Sequence, residues 1–418
     1  MAINLDKIFS SLRLAARAQR HASTEKKNSI LLALAETLEK NENKILSANA
    51  IDLKLLDKKA TDAFRDRLTL NSSRIAGMAE SLRQVAALPD PVGETIEIKT
   101  LKNGLKVRRV RAPLGVILMV FESRPNVILE AFSLAFKAGN VIALRGGSDS
   151  AKTSSAIYKL MRQTLAECGF ETTPFYGFED YDRKWVSLLL KRNDLIDVVV
   201  PRGGERLIQF VQQNANMPII KNDRGLCHAY VDATADLNMA TQIVLNGKTQ
   251  RPGVCNALET LLVHKDVAKE FLPMIYSAAE KFGLQWRVDK MAKTILKSKP
   301  NVRLATTKDF DTEHLDLILN CKIVPDLESA ITHIEQHGSR HSEVIVTREE
   351  TNARKFQDEI DAAAVYWNAS TRFTDGFELG LGGELGISTQ KLHVRGPVGL
   401  KELTSARWLF DGTGQTRL

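Results

Sequence analysis

A chain of 418 residues that is 44% hydrophobic can bury more than one core, which excludes a single small module and predicts two or three structural units. The formal charge of +8 admits nucleic acid, a membrane surface or small anions. Basic residues are scattered among acidic ones, without interleaved aromatics or a basic arm, so small anionic ligands are favoured over nucleic acid.

From Asn4 to about Leu88 the apolar residues recur at helical spacing, with runs such as Ser29 to Leu38 and Ser73 to Leu88, and this predicts a helical lead-in rather than a secretory signal. Ile96 to Leu101 and Leu105 to Val110 flank Asn103-Gly104, the pattern of a hairpin. From Leu114 onward strand and helix signals alternate. Strands are expected at Gly115 to Phe121, Val141 to Leu144, Ile196 to Val200 and Ala229 to Val231, with helices at Val127 to Lys137, Thr153 to Glu167 and Glu205 to Gln213. That alternation is the mark of a doubly wound parallel sheet, whose ligands bind at the carboxyl ends of the strands. A second α/β block opens near Asp236, with strands expected at Glu259 to Val263, Ile318 to Val324, Val344 to Thr347 and Ala363 to Trp367. Gly376 to Gly399 reads as packed loop, and Leu403 to Phe410 as a last strand. Nothing approaches the roughly 18 apolar residues of a spanning helix, so no membrane partner is expected. Cys168, Cys227, Cys255 and Cys321 form no CxxC pair, which predicts free thiols in a reducing cytoplasm and neither a disulfide framework nor a zinc site.

Four segments carry chemistry. Cys255 lies in Thr249-Gln-Arg-Pro-Gly-Val-Cys-Asn-Ala, directly before a strand. A solitary cysteine is more often an inert hydrophobe, but Arg251 and the Pro-Gly loop favour a thiolate, the form that attacks carbonyls. Whether Cys227 is also reactive stays open. Glu122-Ser-Arg-Pro-Asn126 follows a strand end: Asn126 either donates to a developing oxyanion or caps its helix, and Arg124 can hold a carboxylate or phosphate. Leu144-Arg-Gly-Gly-Ser-Asp-Ser-Ala-Lys-Thr153 nearly spells a phosphate-binding loop, with Ala151 where that loop needs glycine; an ATP-dependent kinase is thereby a competitor, weakened by the lack of a metal-holding aspartate. Pro201-Arg-Gly-Gly204 repeats the glycine pair one unit later. His333, His337 and His341 have the i, i+4, i+8 spacing of helix-borne ligands, but Gly338 interrupts it, and no metal is expected.

Six ordered blocks, Glu122-Ser-Arg-Pro-Asn-Val127, Leu144-Arg-Gly-Gly147, Val200-Pro-Arg-Gly-Gly204, Val254-Cys-Asn-Ala-Leu-Glu-Thr-Leu-Leu-Val-His264, Asn368-Ala-Ser-Thr-Arg-Phe-Thr-Asp-Gly376 and Leu385-Gly-Ile-Ser-Thr-Gln-Lys-Leu-His-Val-Arg-Gly-Pro397, resemble γ-glutamyl phosphate reductase (glutamate-5-semialdehyde dehydrogenase), a branch of the aldehyde dehydrogenase superfamily. The resemblance spans about Arg13 to the C-terminus. It implies an aldehyde-dehydrogenase-like α/β fold with two doubly wound parallel-sheet domains and a small oligomerisation element. A dinucleotide domain would comprise 1–93 and 109–228, and a catalytic domain 229–385. A hairpin at 94–108 and the tail 386–418 would mediate a dimer or tetramer. It further implies NADPH-dependent reduction of L-glutamyl 5-phosphate to L-glutamate 5-semialdehyde in proline synthesis, in the cytoplasm. Cys255 would be the nucleophile, with an oxyanion hole from Asn126 and the Cys255 N–H. Arg145, Gly146, Gly147, Ser148, Arg202, Gly203 and Gly204 would hold the cofactor, and Arg124, Arg372 and Arg395 the substrate's phosphate or α-carboxylate. Hydrolytic members of the superfamily place a general-base glutamate where Asn222 stands here, so the missing base suits an enzyme that must not hydrolyse its thioester. Asp223 beside it tempers that argument. Arg145 without a carboxylate at Ser148 suits the 2′-phosphate of NADPH.

Overall fold

The computed structural model describes residues 4–417 except 58, 59, 61, 123, 171, 172, 223 and 298. The chain divides into two compact units: Met1–Asn222 with Gly380–Gly386 and Pro397–Leu418, and Asp223–Leu379 with Ile387–Gly396.

The first unit begins with the helices Leu5–Gln19, Thr24–Lys40, Glu42–Leu55, Asp62–Leu68 and Ser72–Ala87. Three start where a polar side chain takes up an otherwise orphaned N–H: Asn4 accepts from Lys7, Ser23 from Lys26 and Asn71 from Arg74. β1 (Thr95–Thr100) and β2 (Lys106–Pro113) form the expected antiparallel hairpin, and Gly104 turns it at φ +82°, a conformation that glycine adopts without steric cost. The C-terminal strand Thr404–Asp411 pairs antiparallel along β2, completing a three-stranded sheet.

β3 (Val116–Phe121), β4 (Val141–Arg145), β5 (Phe175–Gly177) and β6 (Val198–Arg202) form a parallel sheet of order β5-β4-β3-β6. Every residue of β3 and β4 is buried, and the apolar run of β3 and of Val141–Leu144 suits strands covered on both faces. β4 and β6 flank β3 on opposite sides, which makes the carboxyl ends of β3 and β6 the switch point where such sheets bind ligands.

The second unit carries β7 (Cys227–Val231), β8 (Leu258–His264), β9 (Gln285–Val288), β10 (Val302–Leu304), β11 (Ile318–Val324), β12 (Ser342–Val346) and β13 (Ala364–Trp367). They form one sheet, order β10-β9-β11-β8-β7-β12-β13, in which every pair is parallel. Alternation splits β7, β8 and β12 between two cores: Ala229 and Val231, Leu261 and Val263, Val344 and Val346 face one, while Tyr230, Leu262 and Ile345 face the other. The short strands β5, β9 and β10 went unread in the sequence, because three or four residues carry too little periodicity to register. The helix Leu327–His337 ends at Gly338, which leaves His341 beyond it. Among the described residues no group of three or more His, Cys, Asp or Glu is placed to hold a metal ion. No helix among them is long and apolar enough to cross a membrane.

Candidate active site

In the first unit, the functional segments line the carboxyl edge of the parallel sheet. Glu122 continues β3 by one residue, its N–H donating to the Arg202 carbonyl at 3.0 Å. Its carboxylate then accepts from the N–H of Gly204 at 2.8 Å, at the head of the helix Glu205–Asn214. A methyl group at Gly203 would lie 2.7 Å from that carboxylate, so the glycine opens a cradle at a helix N-terminus where an anion is already drawn in. Glu122 and both glycines are exposed. Arg202 donates to the Leu385 carbonyl at 3.3 Å. Ser123 lies outside the described residues. Pro125 takes the N-cap position of the helix Asn126–Lys137 without any side-chain capping bond, so the exposed Asn126 stands in the first turn and does not cap it.

The turn after β4 differs. Gly146 packs against Phe121, whose ring would stand 2.9 Å from a methyl group there. The helix Ala151–Glu167 that follows is the one a phosphate-binding loop would present to a nucleotide. Its N-terminus is filled by the buried Asp52, whose carboxylate accepts from the N–H of Lys152 at 3.0 Å, the N–H of Thr153 at 2.8 Å and the Thr153 hydroxyl at 2.6 Å. That internal carboxylate explains why a near-match to the loop is no kinase site. Arg145, expected beside the cofactor, is 6% exposed and donates to the carbonyls of Gly146, Tyr181 (2.7 Å) and Asp182 (3.4 Å). Burial pulls its pKa down from the usual guanidinium value. Ser148 is exposed at the start of the short helical turn Ser148–Ser150. Asn222 hydrogen-bonds the Leu385 carbonyl at 3.0 Å, and a side chain at Gly386 (φ +130°) would collide with it at 2.2 Å. A carboxamide is too weakly basic to take a proton from water. Asp223 lies outside the described residues.

In the second unit the cysteine loop lies at the amino ends of the strands instead. The helix Leu237–Thr249 ends, a loop runs from Gln250 to Ala257, and β8 begins at Leu258. Cys255 is the second residue of a turn closed by the Ala257 N–H donating to the Val254 carbonyl at 3.1 Å, and it is half-buried, whereas Cys227 and Cys321 are buried. No helix N-terminus follows the thiol, so local positive charge falls to arginine. Arg372 is close enough to interact electrostatically with Cys255, Arg251 and Asp375; burial lowers its pKa, and its Nε donates to Gln250 at 2.7 Å. Arg251 is exposed. Arg395, the other candidate for a substrate anion in this unit, lies 2.8 Å from Asp361, which Lys391 also pairs at 2.8 Å. Lys391 and Arg395 hold the Asp361 carboxyl down to about 2.

The loop is fixed from both sides. Asn256 donates to the Thr374 carbonyl at 2.8 Å, and its own carbonyl accepts from the Thr371 hydroxyl at 2.7 Å. Below it, Gly225 approaches so closely that a methyl group there would fall 1.5 Å from the Cys255 carbonyl oxygen. Glu313 anchors the Gly225 N–H at 2.8 Å. Sequence reasoning missed Gly225, Asp52 and the placement of Glu122; a glycine two residues before a buried strand was the one available signal.

The aldehyde dehydrogenase family model matches residues 2–295. A gamma-glutamyl phosphate reductase from Moorella thermoacetica is 49% identical over 406 residues, covering 97% of this chain and 96% of its own. The chain belongs to the aldehyde dehydrogenase family, in its gamma-glutamyl phosphate reductase branch. The crystal structure of the gamma-glutamyl phosphate reductase from Thermotoga maritima superposes with a TM-score of 0.95 at 43% identity, each chain covered in full. An acetylating aldehyde dehydrogenase from Geobacillus thermoglucosidasius shares the fold alone, with a TM-score of 0.72 at 14% identity over 99% of this chain and 97% of its own. The family uses nicotinamide cofactors. The residues present fit one: the switch point at β3 and β6 offers a glycine cradle whose N–H already attracts a carboxylate.

Proposed function

We propose that this chain reduces L-glutamyl 5-phosphate to L-glutamate 5-semialdehyde and phosphate with NADPH, through a thioester on Cys255, as the second step of proline synthesis from glutamate in the cytoplasm. The observation that carries this reading is the half-buried Cys255 at the tip of a rigidly held turn within the field of Arg372, in a chain 49% identical to a protein named for that reaction. The Cys255 thiolate attacks the γ-carbonyl, while the Asn126 amide and the Cys255 N–H donate to the developing oxyanion. Phosphate leaves, and Arg372 with Arg124 takes up the substrate's anionic groups; Arg395, already paired with Asp361, contributes less. A bound nicotinamide cofactor would supply hydride to the thioester carbonyl. The Cys255-bound tetrahedral oxyanion that results expels the sulfur, which releases the aldehyde and returns the Cys255 thiolate. Asn222 offers no base to activate water, which protects the thioester from hydrolysis.

The Gly203-Gly204 cradle with Arg202 is assigned to the cofactor's phosphates, and Gly146, Gly147 and Ser148 to its ribose. Arg145 supports the 2′-phosphate through its charge and the turn it braces. The sheet of β1, β2 and the C-terminal strand exposes Ile98 (68%) and Phe410 (60%), apolar surface suited to a second copy of this chain.

The test is the reverse reaction: glutamate semialdehyde, inorganic phosphate and NADP⁺ with the full chain. Turnover should require phosphate, and Cys255→Ala should abolish it. Oxidation without phosphate would indicate a hydrolytic aldehyde dehydrogenase, and a fully active Cys255→Ala would remove the sulfur from the reaction.

A further inference from the structure

The Cys255 carbonyl oxygen is held in a notch. Gly225 forms one wall, since its missing side chain is what leaves room for the oxygen. Cys227, two residues on and so on the same side of the chain as it enters β7, closes the notch: its Sγ donates to that oxygen at 3.2 Å. The segment is itself immobilised, with the Gly225 N–H on Glu313 at 2.8 Å, the Leu226 N–H on the Ser339 hydroxyl at 2.7 Å and Arg224 on the Asp311 carbonyl at 2.9 Å.

The contacts continue as a closed circuit. Cys227 Sγ lies 3.7 Å from His341 Nδ1, which is 2.9 Å from the Ser342 hydroxyl; that hydroxyl is 2.8 Å from the Thr374 hydroxyl, which also meets Tyr366 at 2.6 Å. Thr374 returns to the loop through its carbonyl, the acceptor for Asn256. The circuit therefore begins at the carbonyl of residue 255 and ends at the side chain of residue 256, gripping one peptide plane from both ends.

We propose that Cys227 is a positioning residue whose thiol, bonded to the Cys255 carbonyl, fixes the backbone on which the nucleophile is mounted. This rests on Cys255 being the nucleophile. Cys227 itself is no second nucleophile: it is wholly buried, and burial with the nearby Glu343 carboxylate pushes its thiol pKa well up, so it keeps the proton it donates. Locking the peptide after Cys255 fixes that residue's ψ and so the approach of its sulfur, and an error of about 1 Å at a reacting atom costs on the order of 100-fold in rate.

The experiment compares Cys227→Ala, Cys227→Ser and Gly225→Ala in the phosphate-dependent reverse assay, with thermal melts and NADPH binding by fluorescence as folding controls. Cys227→Ala should lower kcat by about 100-fold while KM for semialdehyde and phosphate stays within about threefold. Cys227→Ser, which restores a donor, should recover at least about tenfold of that loss, and Gly225→Ala should lose kcat with NADPH binding retained. If Cys227→Ala is too unstable to assay, the serine and Gly225 variants decide. A wild-type kcat in Cys227→Ala, or a serine variant no better than alanine, would reduce Cys227 to core filling and overturn the proposal. Cys255→Ala run alongside separates the two readings: its activity would sink both, whereas an inactive Cys255→Ala with an unimpaired Cys227→Ala sinks only this one.

Discussion

The two glycine turns of the first unit read almost alike in sequence, Arg145-Gly-Gly-Ser and Arg202-Gly-Gly-Glu, and each is followed by a helix. They differ in the carboxylate that meets the helix. Asp52 is 3% exposed and makes three hydrogen bonds at the head of Ala151–Glu167; Glu122 is exposed and accepts one, from Gly204. A buried carboxylate that satisfies several orphaned donors is part of the architecture, because removing it leaves those donors unpaired away from water. An exposed one is exchangeable with any better anion. A glycine turn before a helix is therefore only half of an anion site; the other half is whether the protein has already supplied the anion.

Substitution tests that contrast. Asp52→Ala should cost about 3 kcal/mol of unfolding free energy in denaturant titration, because it strips both backbone donors and the Thr153 hydroxyl at once, while NADPH affinity of the folded fraction stays unchanged. Weakened cofactor binding in a stable variant would make the head of the helix Ala151–Glu167, and not only the turn before it, part of the ligand site.

Among the buried carboxyl groups of the second unit, Glu259 sits beside a buried lysine. Glu259 lies 3.1 Å from Lys248 and also accepts from the Leu315 N–H at 3.2 Å, yet burial outweighs the lysine and raises its pKa to about 7, while burial lowers that of Lys248. A carboxyl whose folded pKa is raised binds protons more tightly when folded. Its contribution is complete below the unfolded pKa, near 4.5, and is lost as pH rises through about 7. Glu259→Gln should therefore flatten the fall in stability across that window, by on the order of 1 kcal/mol, measured as unfolding free energy at a series of pH values. An unchanged slope would show the carboxylate to be fully compensated by its lysine.

The smallest effect belongs to Glu122. Glu122→Gln should cost less than about 1 kcal/mol in stability, and it should tighten NADPH binding by about two- to fivefold because the competing charge at the helix N-terminus is gone. Weaker binding would instead make Glu122 a brace for the turn.

Much of the architecture was legible from local pattern. An apolar run marked β3 as a buried strand, the alternation of strand and helix signals marked β7, β8 and β12 as further strands, and Asn103-Gly104 marked the hairpin. These features depend on neighbours a few residues away, so a window of sequence contains their cause. The cysteine loop and the glycine pairs were likewise visible, as blocks whose residue types match one chemistry.

Tertiary structure alone decided how those blocks are used. The carboxylates that meet the two helices come from 101 and 82 residues away, and the contact that seats the nucleophile's peptide joins Cys227 to a residue 28 positions later. The guanidinium of Arg145 reaches carbonyls 36 and 37 residues distant, partners that no local pattern specifies. Whether a polar group faces solvent, a ligand or another part of the chain depends on what folding packs beside it, and an unpaired donor in the interior is costly enough that the chain recruits a partner from any distance.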